Sequence, residues 1–236
     1  MSKVAKRKGQ VKRIAPTKGT KAAGWKELLG HRARFTPLQC ARIERLEDDL
    51  AERLESLPKR LAHSLSVGRS AEALALLYGV DPYKARVAGI LHDWDKVVPH
   101  DELIARAHEL GIDLGVEPTL VVSLLHGMVA ERELPDVYPD LPPDILQAIG
   151  RHTIGAADMT PLDDVIFVAD GIEPLRPSSP GIDEVRHLVG SVTLPNLFWV
   201  SFTGGITYVV GRGRYLYPGT IDIYNGIVAR GNHGYE

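Results

Sequence analysis

Apolar positions along this chain recur three, four and seven residues apart, and no stretch alternates long enough to build a sheet. The first clear pattern is Ile43, Leu46, Leu50 and Leu54, which predicts a helix that Pro58 ends. A second helix is predicted over about 59–78, closed by the turn Gly79-Val80-Asp81-Pro82, and a third over about 82–97. Shorter patterns predict helices near 101–110, 117–132, 142–152, 161–171 and 183–190. Two more fall at 195–211 and 219–229, either side of the turn segment GRGRYLYPG. The expectation is one all-α domain over 41–230, a helical bundle, with a short tail at 231–236.

Several of these apolar faces carry ligand-type side chains. His63 lines up with Val67, Leu74 and Leu77. His92 lines up with Ala85 and Ala88, and Asp93 follows it. His126 ends the apolar run Leu120–Leu125. His152 extends Ile145, Ala148 and Ile149, and Asp170 extends Ile166 and Phe167. Taken singly, a His on an apolar face is more often a hydrogen-bonded core residue. Carboxylates are harder to absorb, because a buried unpaired charge costs several kcal/mol or forces protonation. Lys96 stands three residues after Asp93 and offers a local partner, whereas Asp170 has none at helical spacing. Convergence of all six groups on cations accounts for them together. Four imidazoles and two carboxylates without a thiolate suit iron, manganese or zinc, and six ligands exceed the need of one tetrahedral zinc, which favours a two-metal site.

Composition narrows the setting. The 236 residues include a single cysteine, Cys40, which excludes a disulfide framework and a cysteine zinc site and favours a reducing, cytoplasmic location. No signal peptide is legible, and the apolar stretch 197–210 is too short and interrupted to span a bilayer. A net charge of −2 conceals an uneven distribution. Residues 1–34 carry 11 Lys and Arg against one acid, Glu27, while 35–236 carry 17 basic and 29 acidic residues. Residues 1–37 are therefore expected to form a disordered basic extension, either solubilising or in contact with nucleic acid or an acidic partner.

The order His…His-Asp…His…His…Asp resembles the HD-domain metal-dependent phosphohydrolases. The segments KRLAHSLSV, AGILHDWDK, LLHG, AIGRHTIG, VADGIEPLRP and PGTIDIYN resemble the YqeK-type branch, whose members cleave diadenosine tetraphosphate symmetrically. That likeness covers about 41–228. It implies an all-helical HD-domain bundle with a metal between its helices. His63, His92, Asp93 and Asp170 match the primary metal ligands, and His126 and His152 match positions that hold a second metal or the phosphate chain. Lys96 matches a phosphate-contacting lysine, while Arg60, Thr153 and Arg176 match positions near the nucleotide. Asp93, Lys96 and His126 are the expected catalytic residues.

The implied cofactor is a divalent or mixed-valent metal, iron first, with manganese and zinc as alternatives. The implied reaction converts diadenosine tetraphosphate into two ADP through a metal-activated water. Competing expectations are an HD hydrolase of a (deoxy)nucleotide or cyclic dinucleotide, and a non-catalytic binding module. A homodimer is one option for the assembly. Asp95, where relatives more often have a small or apolar residue, is expected to be a solvated carboxylate balancing Lys96 rather than a proton carrier or a positioning group.

Overall fold

The computed structural model describes residues 24–231 and contains, among them, eleven α-helices, one 3-10 turn and no strand. They are α1 (Trp25–Leu28), α2 (Pro37–Arg53), α3 (Pro58–Tyr78), α4 (Pro82–Leu91), the 3-10 turn Trp94–Val97, α5 (His100–Glu109) and α6 (Pro118–Val137). The chain continues through α7 (Pro143–Arg151), α8 (Pro161–Ile172), α9 (Pro180–Leu188), α10 (Leu194–Gly211) and α11 (Pro218–Ala229). No described helix is long and apolar enough to cross a membrane.

Proline starts most of these helices, because its missing N–H would have no partner in the first turn and its fixed φ suits the helix. Pro58 thus opens α3 as well as closing the segment before it. Thr36 with Gln39 and Thr160 with Asp163 add reciprocal caps to α2 and α8.

At the centre, α3 lies against α4 and α8. Gly68 and Gly89 meet where α3 and α4 cross; a Cβ on Gly89 would stand 2.7 Å from Gly68 Cα. That approach brings the His63 helix close to the one that ends at His92. The last carbonyls of α8 are satisfied from outside: Arg186 of α9 donates to Ile172 O at 3.0 Å and to Glu173 O at 2.7 Å. The segment after α8 is thereby fixed against the bundle.

Three expectations require correction. Order begins before Ala41: Trp25 is buried and its indole N–H donates to Ile172 O, while Ala33 N–H donates to Glu72. The predicted extension is therefore docked over 25–36, and its first 23 residues lie outside the described ones, as do 232–236 of the tail. The third helix stops at Leu91, and Trp94–Val97 forms a tighter 3-10 turn, so Asp93 faces the site from a bend. The sixth helix runs through Pro135 to Val137, since a proline in the last turn removes one hydrogen bond without ending the helix.

Candidate metal centre

The six residues read from the apolar faces meet in one place. His63 comes from the first half of α3, His92 from the C-cap of α4 and Asp93 from the bend that follows. His126 comes from α6, His152 from the C-cap of α7 and Asp170 from α8. Asp93 lies at the centre of the group. Its Oδ1 is 2.9 Å from His126 Nε2 and 3.9 Å from His152 Nε2; its Oδ2 is 3.4 Å from His92 Nε2 and 3.6 Å from His63 Nε2. Asp170 Oδ1 is 3.0 Å from His63 Nε2 and 3.8 Å from His92 Nε2. Two ligand triads result, His63-His92-Asp170 and His92-Asp93-His152, sharing His92.

Every ring is held the same way round. His92 Nδ1 donates to Gly89 O at 2.8 Å and His152 Nδ1 to Ile149 O at 2.7 Å, and His126 Nδ1 faces Ser123 O at 3.0 Å. His63 Nδ1 donates to the Glu173 carboxylate at 3.1 Å. Each of these oxygens can only accept, so Nδ1 of His63, His92 and His152 carries the hydrogen and their Nε2 lone pairs point into the site, whereas His126 Nδ1 lies between Ser123 O and the Lys96 ammonium at 3.3 Å. Gly127 makes room for this: a Cβ there would come within 2.8 Å of the His152 ring.

The donors need a shared positive charge. His126 Nε2 and His152 Nε2 face each other at 3.1 Å, and the buried Nε2 atoms of His63 and His92 make no hydrogen bond. Burial, then the charges of His92 and His126, push His152 down to about 3, and burial lowers His126 despite Asp93. Protonation of these two rings is therefore disfavoured, and a divalent cation fits the nitrogen and carboxylate donors. Burial would raise both carboxyls, but His92 and His126 hold Asp93 well below the usual range. His63 and Arg176 do the same for Asp170, so both stay ionised. Burial would lower His63, yet the neighbouring carboxylates of Asp170 and Glu173 raise it.

Cations ring the carboxylates. Arg60 donates to Asp93 Oδ2 at 2.7 Å and Arg176 to Asp170 Oδ1 at 2.5 Å. The site forms the floor of a cleft of about 340 Å³ whose walls include Arg60, Lys96, Thr153, Arg176 and Ser201. Thr153 spends its hydroxyl proton on Leu124 O at 3.1 Å. A larger hollow of about 430 Å³ lies between α6, α7 and α11, but its Arg151 is committed to Asp163 and Asp158.

Residues 60–175 match the HD domain family. The chain is 35% identical over 178 residues to the symmetrical bis(5'-nucleosyl)-tetraphosphatase of Staphylococcus aureus (strain NCTC 8325 / PS 47), covering 72% of this chain and 88% of that protein. It is likewise 35% identical to the Bacillus subtilis (strain 168) protein of the same name, covering 72% and 90%. The chain belongs to this HD-domain family. A crystal structure described as a predicted HD superfamily hydrolase involved in NAD metabolism, from Clostridium acetobutylicum, superimposes with a TM-score of 0.71 at 34% identity. The match covers 79% of this chain and 97% of that one.

The HD dipeptide alone does not mark the site. A second His-Asp pair, His100-Asp101, stands exposed at the start of α5. Partners differ in three places from those the spacing suggested. Asp93 pairs with Arg60, while Lys96 Nζ stands 3.3 Å from His126 Nδ1. Asp170 finds Arg176 six residues on, beyond the helix end. Asp95 is not solvated: it is fully buried, pairs with Arg53 of α2 and is raised by burial to about 6. Glu173 was missed as the orienter of His63; its signal was a carboxylate three residues after Asp170. Arg53 carried no sequence signal, since its partner lies 42 residues away.

Proposed function

We propose that this HD-domain protein hydrolyses diadenosine tetraphosphate symmetrically to two ADP, at the six-residue centre, with iron as its divalent metal and manganese or zinc as substitutes. One observation carries the reading. Four imidazole Nε2 atoms and two ionised carboxylates converge on the floor of a cleft walled by Arg60, Lys96 and Arg176. Acidic floor and basic walls suit a metal below and a polyphosphate above. The names of the relatives at 35% identity support the substrate.

His63, His92, Asp93 and Asp170 would hold the primary metal, and His126 and His152 a second one or the phosphate chain. When bound, such a metal supplies an activated water and offsets charge on the phosphoryl oxygens. The chain's residues do the rest. Lys96 and Arg176 hold the phosphoryl oxygens, and Lys96 balances the charge that grows as the central P–O–P bond breaks. Burial lowers the Lys96 pKa, and Asp93 partly opposes this. His126, kept neutral by burial, presents Nε2 as a proton acceptor beside Asp93 Oδ1. Arg60 fixes the Asp93 carboxylate, and His152 and Thr153 border the nucleotide. One water is consumed for each bond cleaved.

The basic N-terminal segment acts separately, as an electrostatic contact for nucleic acid or an acidic partner, and the single cysteine fits a cytoplasmic protein. Metal analysis of the purified protein, with hydrolysis assayed after chelation and after adding back iron, manganese or zinc, tests the centre. Iron in the isolated protein and activity restored best by iron are expected. Full activity after complete metal removal would refute the reading.

A further inference from the structure

The wall of the cleft formed by α10 continues outward past the residues that line it. Ser201 and Gly205 face the cleft. Tyr208 and Arg212 stand seven and eleven positions after Ser201, at the spacing that keeps one helix face. At 1.5 Å per residue, Tyr208 lies about 10 Å along the helix from Ser201, outward from the metal centre. Its side chain is 52% exposed although the helix is strongly apolar. Two guanidiniums attend the ring: Arg212 at 5.5 Å and Arg214 at 5.7 Å from its centroid. The turn after α10 folds back to bring the second one there, with Arg214 N–H donating to Val209 O at 3.1 Å. On α6, the cleft residues Ser123 and Leu124 are continued outward in the same manner by Leu120, which is 50% exposed. An aromatic face, an aliphatic side chain and two cations therefore stand beyond the cleft, on the continuations of its walls.

We propose that Tyr208, with Arg212 and Arg214, forms a stacking subsite for the nucleobase of the substrate's second nucleoside. The reading rests on the dinucleotide substrate proposed above and names where its far end is held. A tyrosine face takes any base, and guanidiniums both stack on bases and neutralise phosphate. The distance from Ser201 to Tyr208 is comparable with the reach of an ADP half from its terminal phosphorus to its base. A dinucleotide anchored at both ends is thereby set with its central bond over the metal floor. Tyr208 is a positioning residue for the reaction, remote from the reacting atoms.

The test compares diadenosine tetraphosphate with adenosine 5'-tetraphosphate, which lacks the second nucleoside, in the metal-loaded full chain. Tyr208→Ala should raise KM for the dinucleotide about tenfold, as expected for loss of one stacked base, with a much smaller change in kcat. Its KM for adenosine 5'-tetraphosphate should change less than about twofold, and Tyr208→Phe should restore the dinucleotide KM. An equal KM rise on both substrates, an unchanged KM on both, or a loss confined to kcat overturns the subsite. If the wild-type chain turns over neither compound, the proposed activity fails, and calorimetry with ADP decides the subsite alone. Two ADP per chain falling to one in Tyr208→Ala supports it; an unchanged stoichiometry overturns it.

Discussion

Arg53→Ala should lower the stability of the whole fold through a residue that touches no ligand. Arg53 ends α2 and grips the 3-10 turn after Asp93 at three points. Its Nε donates to Trp94 O at 2.7 Å, its guanidinium lies 4.6 Å from the Trp94 ring centroid, and its terminal nitrogen pairs with Asp95. Asp95 is fully buried; Arg53 pairs with its Oδ1, and its Oδ2 has no hydrogen-bond partner among the described residues. Removing the arginine loses a hydrogen bond to a charged group, worth about 1.5–3 kcal/mol, and a cation–π contact of about 0.5–1 kcal/mol. A net loss of about 3 kcal/mol is expected, or a fall in Tm of about 10 °C for a domain of this size.

The penalty should depend on pH. Asp95 has a folded pKa of about 6, above its ordinary 3.8, so its contribution is full below about pH 4 and is lost as pH rises through 6. Arg53→Ala should therefore cost most above pH 6, where an ionised Asp95 is left uncompensated, and least in mild acid. Thermal unfolding followed by circular dichroism from pH 4.5 to 8 measures both effects. Asp95→Asn introduced into Arg53→Ala should recover part of the loss at pH 8. An Arg53→Ala protein melting within about 2 °C of wild type at pH 8 would refute the clamp.

Further consequences follow from other groups. His92→Ala and Asp93→Ala should each abolish hydrolysis and metal retention while leaving far-UV dichroism helical; an active variant of either would remove the centre from the chemistry. Asp164 is buried, its Oδ1 has no partner, and burial followed by Asp163 raises it to about 8. Its folded form binds a proton more tightly than the unfolded chain, so stability should fall between about pH 4 and 8. Asp164→Asn should flatten that fall, by up to about 1.4 kcal/mol per pH unit, in denaturant titrations. Deleting residues 1–23 should leave turnover on free nucleotide unchanged. A deletion reaching residue 36 also removes buried Trp25 and the bond from Ala33 to Glu72, and should destabilise by about 3 kcal/mol in a thermal melt.

The convergence of the six side chains was legible because each sits on a helix whose apolar period is plain. A polar group on such a stripe must either find a partner or mark a site. Helix starts were legible where proline stands at the head of an apolar period, as at Pro82 and Pro161, but not at Pro37, where the period begins only at Ile43. The turn at Trp94–Val97 was not, because LHDWDK continues a helical pattern while the bend is held by partners distant in sequence, Arg53 on one side and Tyr138 against the Trp94 ring. Asp95 was misread for the same reason: its partner is distant in sequence. Trp25 was hidden in a Lys-rich stretch without periodicity, and a single aromatic anchor leaves no pattern to find.

Product analysis tests the central claim most directly. The metal-loaded protein, given diadenosine tetraphosphate, is predicted to yield ADP as its sole nucleotide product, with that yield lost in Asp93→Ala. AMP together with ATP, or no cleavage by the metal-loaded wild-type chain, would contradict the account.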